Sequence, residues 1–167
     1  KMNEVGTRHS LCLPKPPALK RLQQASILII FRASFFTLKT LRNHPFRNWA
    51  GNESCHPSFF FFPETEVEIK QVVSQAKSSN KKIRVVGTGH SWSAIACTDD
   101  YMISLDHYNK VIHIDKEKKR IRVQAGIKLK QLNKVLDENG LALINLGSMS
   151  EQSIAGVTAT GTHGTGI

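Results

Sequence analysis

Val85-Val86-Gly87-Thr88-Gly89-His90-Ser91 is the stretch on which the fold turns. It reads as a short apolar strand entering a glycine turn, with an imidazole and a hydroxyl at the tip. Glycine lets the backbone curl until successive N–H groups aim at one point, and such a nest binds an anion. Farther along lies a second run of small residues. It reads Gly147-Ser148-Met149-Ser150-Glu151-Gln152-Ser153-Ile154-Ala155-Gly156, then Gly161-Thr162-His163-Gly164-Thr165-Gly166. Two such runs, each with a histidine, point to one long phosphate-bearing cofactor held between them.

The chain around these runs alternates between helical and extended patterns. Phe59-Phe60-Phe61-Phe62 before Pro63 reads as a buried extended segment. Thr65 with Glu68 three residues on is a capping box. Ile69, Val72, Val73 and Ala76 then make a helical stripe that ends within 77–80. Strands are expected at 83–86 and 102–105. Val111-Ile112-His113-Ile114 and Ile121-Arg122-Val123-Gln124 should pair as a hairpin about 115–120. Leu129, Leu132, Val135 and Leu136 form a second amphipathic helix, stopped by Gly140. Residues 142–145 should be extended and deliver Gly147 and Ser148, with a short helix over 153–160. This order is α+β. A doubly wound sheet is excluded at Trp92, which holds the third glycine's place in a dinucleotide fingerprint where helix and strand must pack closely. No P-loop pattern occurs.

Charge is uneven along the chain. The net charge is +10. Residues 1–44 carry eight Lys/Arg and one acid, so most of it sits there; residues 45–167 carry fifteen and twelve. The nearly balanced part lacks the aromatic-interleaved basic face of a nucleic-acid module, so no nucleic-acid partner is expected. Cys12, Cys55 and Cys97 are too few and too scattered for a disulfide framework or a zinc site, and read as reduced thiols of an intracellular compartment. His107 and His113 flank a strand without ligand spacing, and no metal site is expected. The longest apolar run, at 27–31, is far short of the ~20 residues a membrane span needs. Residues 1–45 read as a basic, poorly ordered extension, with one short helix over 18–40. An organelle-targeting presequence fits the same composition, as does a start missing or misassigned upstream of Lys1.

The glycine runs, in this order and at these distances, resemble the FAD-binding (PCMH-type) domain of the vanillyl-alcohol oxidase superfamily. Within it the likeness is to the L-gulonolactone oxidase or sugar-1,4-lactone oxidase family, which includes D-arabinono-1,4-lactone oxidases, galactonolactone dehydrogenases and alditol oxidases. The resemblance covers 46–167. It begins at Phe46-Arg47-Asn48-Trp49-Ala50-Gly51-Asn52 and runs through Pro63-Glu64-Thr65-Glu66-Val67 and 85–99 to 111–126 and 129–166. Ala96-Cys97-Thr98-Asp99 and Asp115-Lys116-Glu117-Lys118-Lys119 point to its animal type.

The resemblance implies roles. Val85, Val86, Gly87, Thr88, Gly89 and Ser91 would cradle the FAD pyrophosphate. His90 would be bonded covalently to the flavin 8α carbon, a bond that makes the ring a better hydride acceptor; a neutral imidazole is a competent nucleophile for it. Gly147 would lie beside the reactive flavin edge and, lacking a Cβ, admit dioxygen. Ser148 would lie near the flavin and the substrate hydroxyl. Ser153, Ile154, Ala155 and Gly156 would contact the ribityl chain and pyrophosphate, and His163 the flavin's polar flank. The implied reaction is oxidation of an aldono-1,4-lactone, with hydride passing to the flavin and dioxygen reoxidising it to hydrogen peroxide, as in ascorbate biosynthesis.

The resemblance also implies an intracellular enzyme at the endoplasmic reticulum or microsomal membrane, with the mitochondrion as the alternative. It further implies that 46–167 is an incomplete, truncated N-terminal part of the FAD domain. The base and most substrate contacts would then lie beyond residue 167, the 167 residues alone would be inactive, and apolar surface over 123–146 would be exposed. A non-catalytic fragment, or an alditol oxidase or galactonolactone dehydrogenase type of relative, remains the alternative.

Overall fold

The computed structural model of the chain describes residues 38–165. Its strands in chain order are β1 (Thr40–Arg42), β2 (Phe46–Arg47), β3 (Ser54–Cys55), β4 (Phe59–Phe61), β5 (Ile83–Val86), β6 (Tyr101–Ser104), β7 (Val111–Asp115) and β8 (Arg120–Val123). The helices are α1 (Glu66–Ser78), α2 (Leu129–Glu138) and α3 (Ile154–Ala159), with a 3-10 turn at Ala94–Ala96.

The phenylalanine run occupies the middle of a four-stranded sheet of order β1-β4-β6-β5. β4 and β5 both run parallel to β6, with Phe60 opposite Met102 and Val85 opposite Ile103, and β1 closes the edge antiparallel to β4. Side chains alternate across the sheet. Phe60, Met102 and Val86 cluster on one face with Cys55, against Leu41, Phe46, Phe62, Ala96 and Cys97. Phe61, Tyr101 and Ile103 point to the other face and are also buried. There Gln75 Nε2 of α1 lies 3.5 Å from the Tyr101 hydroxyl.

α1 starts where the capping box places it. Glu68 N–H donates to Thr65 Oγ1 at 3.2 Å, and Thr65 N–H donates to the Glu68 carboxylate at 3.0 Å. The acids Glu66 and Glu68 in the first turn also suit the positive end of the helix. Val72 and Ala76 form the buried stripe, whereas Val73 is exposed, so that stripe is narrower than the apolar pattern alone implies.

β7 and β8 form a separate two-stranded hairpin with an irregularity between Val111 and His113. Its inner side chains, Val111, Ile121 and Val123, meet Ile127, Leu132 and Leu136, and Leu141, Leu143 and Ile154 join them. This corrects the expectation of an exposed apolar surface over 123–146. The face is covered by α2 and the start of α3, because their own apolar stripes need the same burial. Large exposed apolar groups in that span are confined to Ile144 and Leu146.

Other expectations move as well. The strand expected at 102–105 lies one residue earlier. Residues 142–145 join no sheet, and a bend at 144–145 interrupts the extended course expected there. β1 and the buried Leu38 lie upstream of residue 46, so the main sheet draws on part of what the sequence assigns to the extension. The helix over 18–40 lies outside the described residues for nearly all its length, as does Cys12.

Candidate functional site

At the end of β5 the chain enters the glycine turn. Val86 is 3% exposed and belongs to the sheet core, so only its backbone can face a ligand; Val85 is 52% exposed. Gly89 takes φ +69, which a Cβ would strain. From there the loop is held by the β2–β3 hairpin. Trp49 N–H donates to the Gly89 carbonyl at 2.8 Å. Asn48 Nδ2 donates to the Ser91 carbonyl and Asn52 Nδ2 to the Trp92 carbonyl, both at 2.9 Å. Asn48 is buried, and Glu53 N–H donates to its Oδ1 at 3.1 Å. The His90 ring lies against the Trp49 indole with centroids 5.2 Å apart and planes 31° apart.

The second run is built on the hairpin and α2. Ser150 and Gln152 carbonyls accept from Lys130 and Leu129 N–H groups. Ile154 and Ala155 N–H groups donate to the carbonyls of Ile127 and Ala125, each at 2.9 Å. Those two donors are therefore spent on the fold, and any contact of Ile154 or Ala155 with a cofactor must use other atoms. Ser153 caps α3 by accepting from Gly156 N–H at 3.4 Å.

The two runs meet. Thr88 Oγ1 donates to the Glu151 carbonyl at 2.9 Å. A Cβ on Gly87 would collide with Ser153 Oγ, so glycine is what lets the strands of the site approach. Glu151 also pairs with Lys130 at 2.7 Å. That bond holds its carboxyl below the ordinary glutamate value of 4.5, and the positive charges of Lys130 and Lys128 act in the same sense.

Gly147 sits on the rim of a cleft of about 390 Å³, with Leu129, Leu143, Ile154 and Val157 among its lining residues. A Cβ on Gly147 would lie 3.0 Å from Thr162 Cγ2 and 3.9 Å from Gln152 Oε1. Gln152 Oε1 is buried without a hydrogen-bond partner. Ser148 and His163 are exposed. His163 Nδ1 lies 2.9 Å from the Gly164 carbonyl, and Gly164 N–H donates to Asn145 Oδ1 at 2.7 Å. Gly166 lies outside the described residues. Among the described residues no three His, Cys, Asp or Glu groups gather as metal ligands.

Sequence reasoning singled out the glycines and histidines and missed their supports. Asn48, Trp49 and Asn52 carried no assigned role, nor did Glu151 as the partner of Thr88. The available signal was weak: two asparagines four apart, bracketing a Gly51 that takes φ +75.

The arrangement fits a diphosphate. Among the described residues, the N–H groups of 88–91 donate to no backbone carbonyl, and they follow directly on Gly87, whose missing Cβ leaves room for Ser153. Fold and loop thus define a domain in which a glycine turn at a strand end is clasped to a second run of small residues. The chain belongs to the FAD binding domain family, whose model matches residues 57–167, and its cofactor is FAD.

L-gulonolactone oxidase of Scyliorhinus torazame is 48% identical over 124 residues, covering 74% of this chain and 28% of that protein. D-arabinono-1,4-lactone oxidase of Kluyveromyces lactis is 43% identical over 126 residues, covering 73% and 24%. The chain thus spans about a quarter of the length of the curated relatives it matches. Among solved structures, a solvent-stable cholesterol oxidase superposes with a TM-score of 0.69 at 24% identity, over 78% of this chain and 26% of that one, which shows the shared fold.

Proposed function

We propose that this chain is the pyrophosphate-binding part of an FAD enzyme that oxidises an aldono-1,4-lactone, with dioxygen as acceptor, in an ascorbate-type biosynthesis. The observation that carries the reading is the clasp of the two glycine runs at Thr88 and Glu151, in a chain 48% identical to a lactone oxidase across that region. Bound FAD supplies the two-electron acceptor; the protein supplies placement and surroundings.

The N–H groups of Thr88, Gly89, His90 and Ser91 hold the pyrophosphate. Ser153 and Gly156 border it from the other run. His90 would hold the flavin covalently, its imidazole nitrogen giving up a proton to bond the 8α carbon, with dioxygen as the co-reactant that takes up the two electrons released. Gly147 would leave space at the flavin edge for dioxygen, Ser148 would lie toward the substrate hydroxyl, and His163 would lie on the polar flank. The reading places the enzyme inside the cell, at the endoplasmic reticulum membrane or, alternatively, in the mitochondrion. Among the described residues no helix is long and apolar enough to cross a membrane, so attachment there would be peripheral or through other residues.

The test uses the full-length protein. Acid precipitation should leave a yellow pellet, His90→Ala should release the colour, and L-gulono-1,4-lactone should drive saturable peroxide formation. Flavin freed from the wild-type pellet would refute the linkage. Flavin reduction by lactone without peroxide would refute the oxidase.

A further inference from the structure

We propose that Trp49 positions the His90 imidazole for its bond to the flavin, while the Asn48 and Asn52 amides fix the loop that carries it. The inference rests on the reading that FAD is linked through His90. The loop's hydrogen bonds have a pattern. The carbonyls of Gly89, Ser91 and Trp92 are each held by residue 49, 48 or 52. His90 is thereby suspended between fixed neighbours, with only its side-chain torsions left to settle.

Trp49 settles them. Its indole is 62% exposed, so core packing does not explain its placement. What it meets is the His90 ring at 5.2 Å and, edge-on, the Trp92 ring at 6.2 Å. Its backbone N–H binds the carbonyl just before His90, so indole and imidazole are tied to the same peptide. The contact sets the imidazole plane 31° from that of the indole. Bond formation needs one ring nitrogen aimed at one carbon, and an imidazole on a glycine turn would otherwise sample several rotamers. Holding a reacting group in near-attack geometry is worth orders of magnitude in rate, and a misplacement of about 1 Å costs about a hundredfold. Trp49 touches no reacting atom in this scheme; it acts through His90.

The experiment follows covalent flavin against time in the full-length protein supplied with FAD, by fluorescence of the denatured band, beside non-covalent FAD affinity. Trp49→Leu should bind FAD as His90→Ala does, yet link it about ten- to a hundredfold more slowly than wild type. Trp49→Phe keeps a ring and should restore most of the rate. Trp92→Leu leaves the His90 contact in place and should link normally. In FAD-free protein labelled at histidine, the His90 ring-proton resonances should move downfield in Trp49→Leu and return toward wild type in Trp49→Phe.

Linkage by Trp49→Leu at the wild-type rate overturns the proposal. So does loss of linkage in strict proportion to loss of FAD affinity, which makes Trp49 a binding or structural residue. Unmoved His90 resonances overturn the stack itself. A wild-type protein that binds FAD but links none overturns the covalent reading and with it this role, and it does so without any Trp49 variant.

Discussion

Gly87→Ala together with Ser153→Gly probes whether the two glycine runs touch as described. A Cβ on Gly87 meets Ser153 Oγ and, at 3.2 Å, Ser153 Cβ. Both obstructing atoms belong to one side chain, so removing that side chain should relieve the whole collision. Overpacking at a fixed backbone costs about 1–3 kcal/mol, which sets the loss for Gly87→Ala alone. Ser153→Gly should cost little, because glycine is a tolerated helix N-cap and replaces serine there at a cost of about a few tenths of a kcal/mol. The Gly156 N–H bond it gives up is long, at 3.4 Å. If the sites were independent, the double variant would lose the sum of the two single losses, within about 0.3–0.5 kcal/mol. Because glycine at 153 leaves room for alanine at 87, the double variant should instead recover at least about 1 kcal/mol of that sum, well within measured couplings between contacting residues.

Urea unfolding reads this directly. With m of about 1–3 kcal/mol/M, Gly87→Ala should lower the midpoint by about 1 M, and the double variant should return most of it at unchanged m. Additivity of the two losses would show that residues 87 and 153 do not meet, and the two-run site would fall with it.

Thr65→Ala removes the α1 cap and should cost about 1 kcal/mol in unfolding experiments, with FAD affinity unchanged because the cap lies outside the site. The Lys81 ammonium, with Lys82 N–H, holds the Asp100 carboxyl below the ordinary aspartate value of 3.8. Its folded value is the lower one, so its contribution is full above the unfolded value and disappears as pH falls through the folded value. Asp100→Asn should therefore flatten part of the acid limb of stability against pH; an unchanged limb refutes the assignment. Burial, and next the adjacent Cys55 thiol, push the Cys97 thiol up to about 11, so iodoacetamide at pH 8 should modify it slowly in the folded protein and quickly in urea. Gly147→Ala should slow flavin reoxidation by dioxygen more than reduction by lactone. Its new methyl also crowds Thr162 Cγ2 at 3.0 Å, so the effect must persist in Gly147→Ala with Thr162→Ser; its disappearance there would mean a packing defect.

What could be read in the sequence was what is local. The capping box joins Thr65 to Glu68 within one turn, and the β7–β8 hairpin closes across a short turn, so neighbours in the chain carry the signal. β1 and the β2–β3 pair carry none. Each is two or three residues long, without room for alternation, and exists because a partner strand accepts it: Leu41 lies opposite Phe60, and Phe46 opposite Cys55. The same holds at the site. Glycine spacing announces a turn that can bind an anion, because backbone conformation is a local property. The Asn48 and Asn52 bonds to carbonyls beyond residue 90 have no period to betray them. Ile154 and Ala155 lie in the small-residue run that pointed to the cofactor, and their N–H groups are taken by the carbonyls of Ile127 and Ala125, which no local pattern announces.

The supports also bear on how the proposed pyrophosphate loop, without a single lysine or arginine between 85 and 99, would hold an anion. Each clamp from the β2–β3 hairpin takes a carbonyl: those of Gly89, Ser91 and Trp92. Carbonyl oxygens are the negative ends of the peptide dipoles, and binding them to Trp49, Asn48 and Asn52 turns those ends into the protein. The N–H ends of those same peptides belong to His90, Trp92 and Ser93, which donate to no backbone carbonyl among the described residues, and oriented amides of this kind act as fixed partial positive charge. On the opposite side Thr88 spends its hydroxyl on Glu151, which stops the loop from tilting away from the second run. On the proposed reading the clamps would serve the anion site by fixing the loop and orienting the His90 amide, without adding cations. Its weak points are the asparagines among those clamps, neither of which would touch the cofactor.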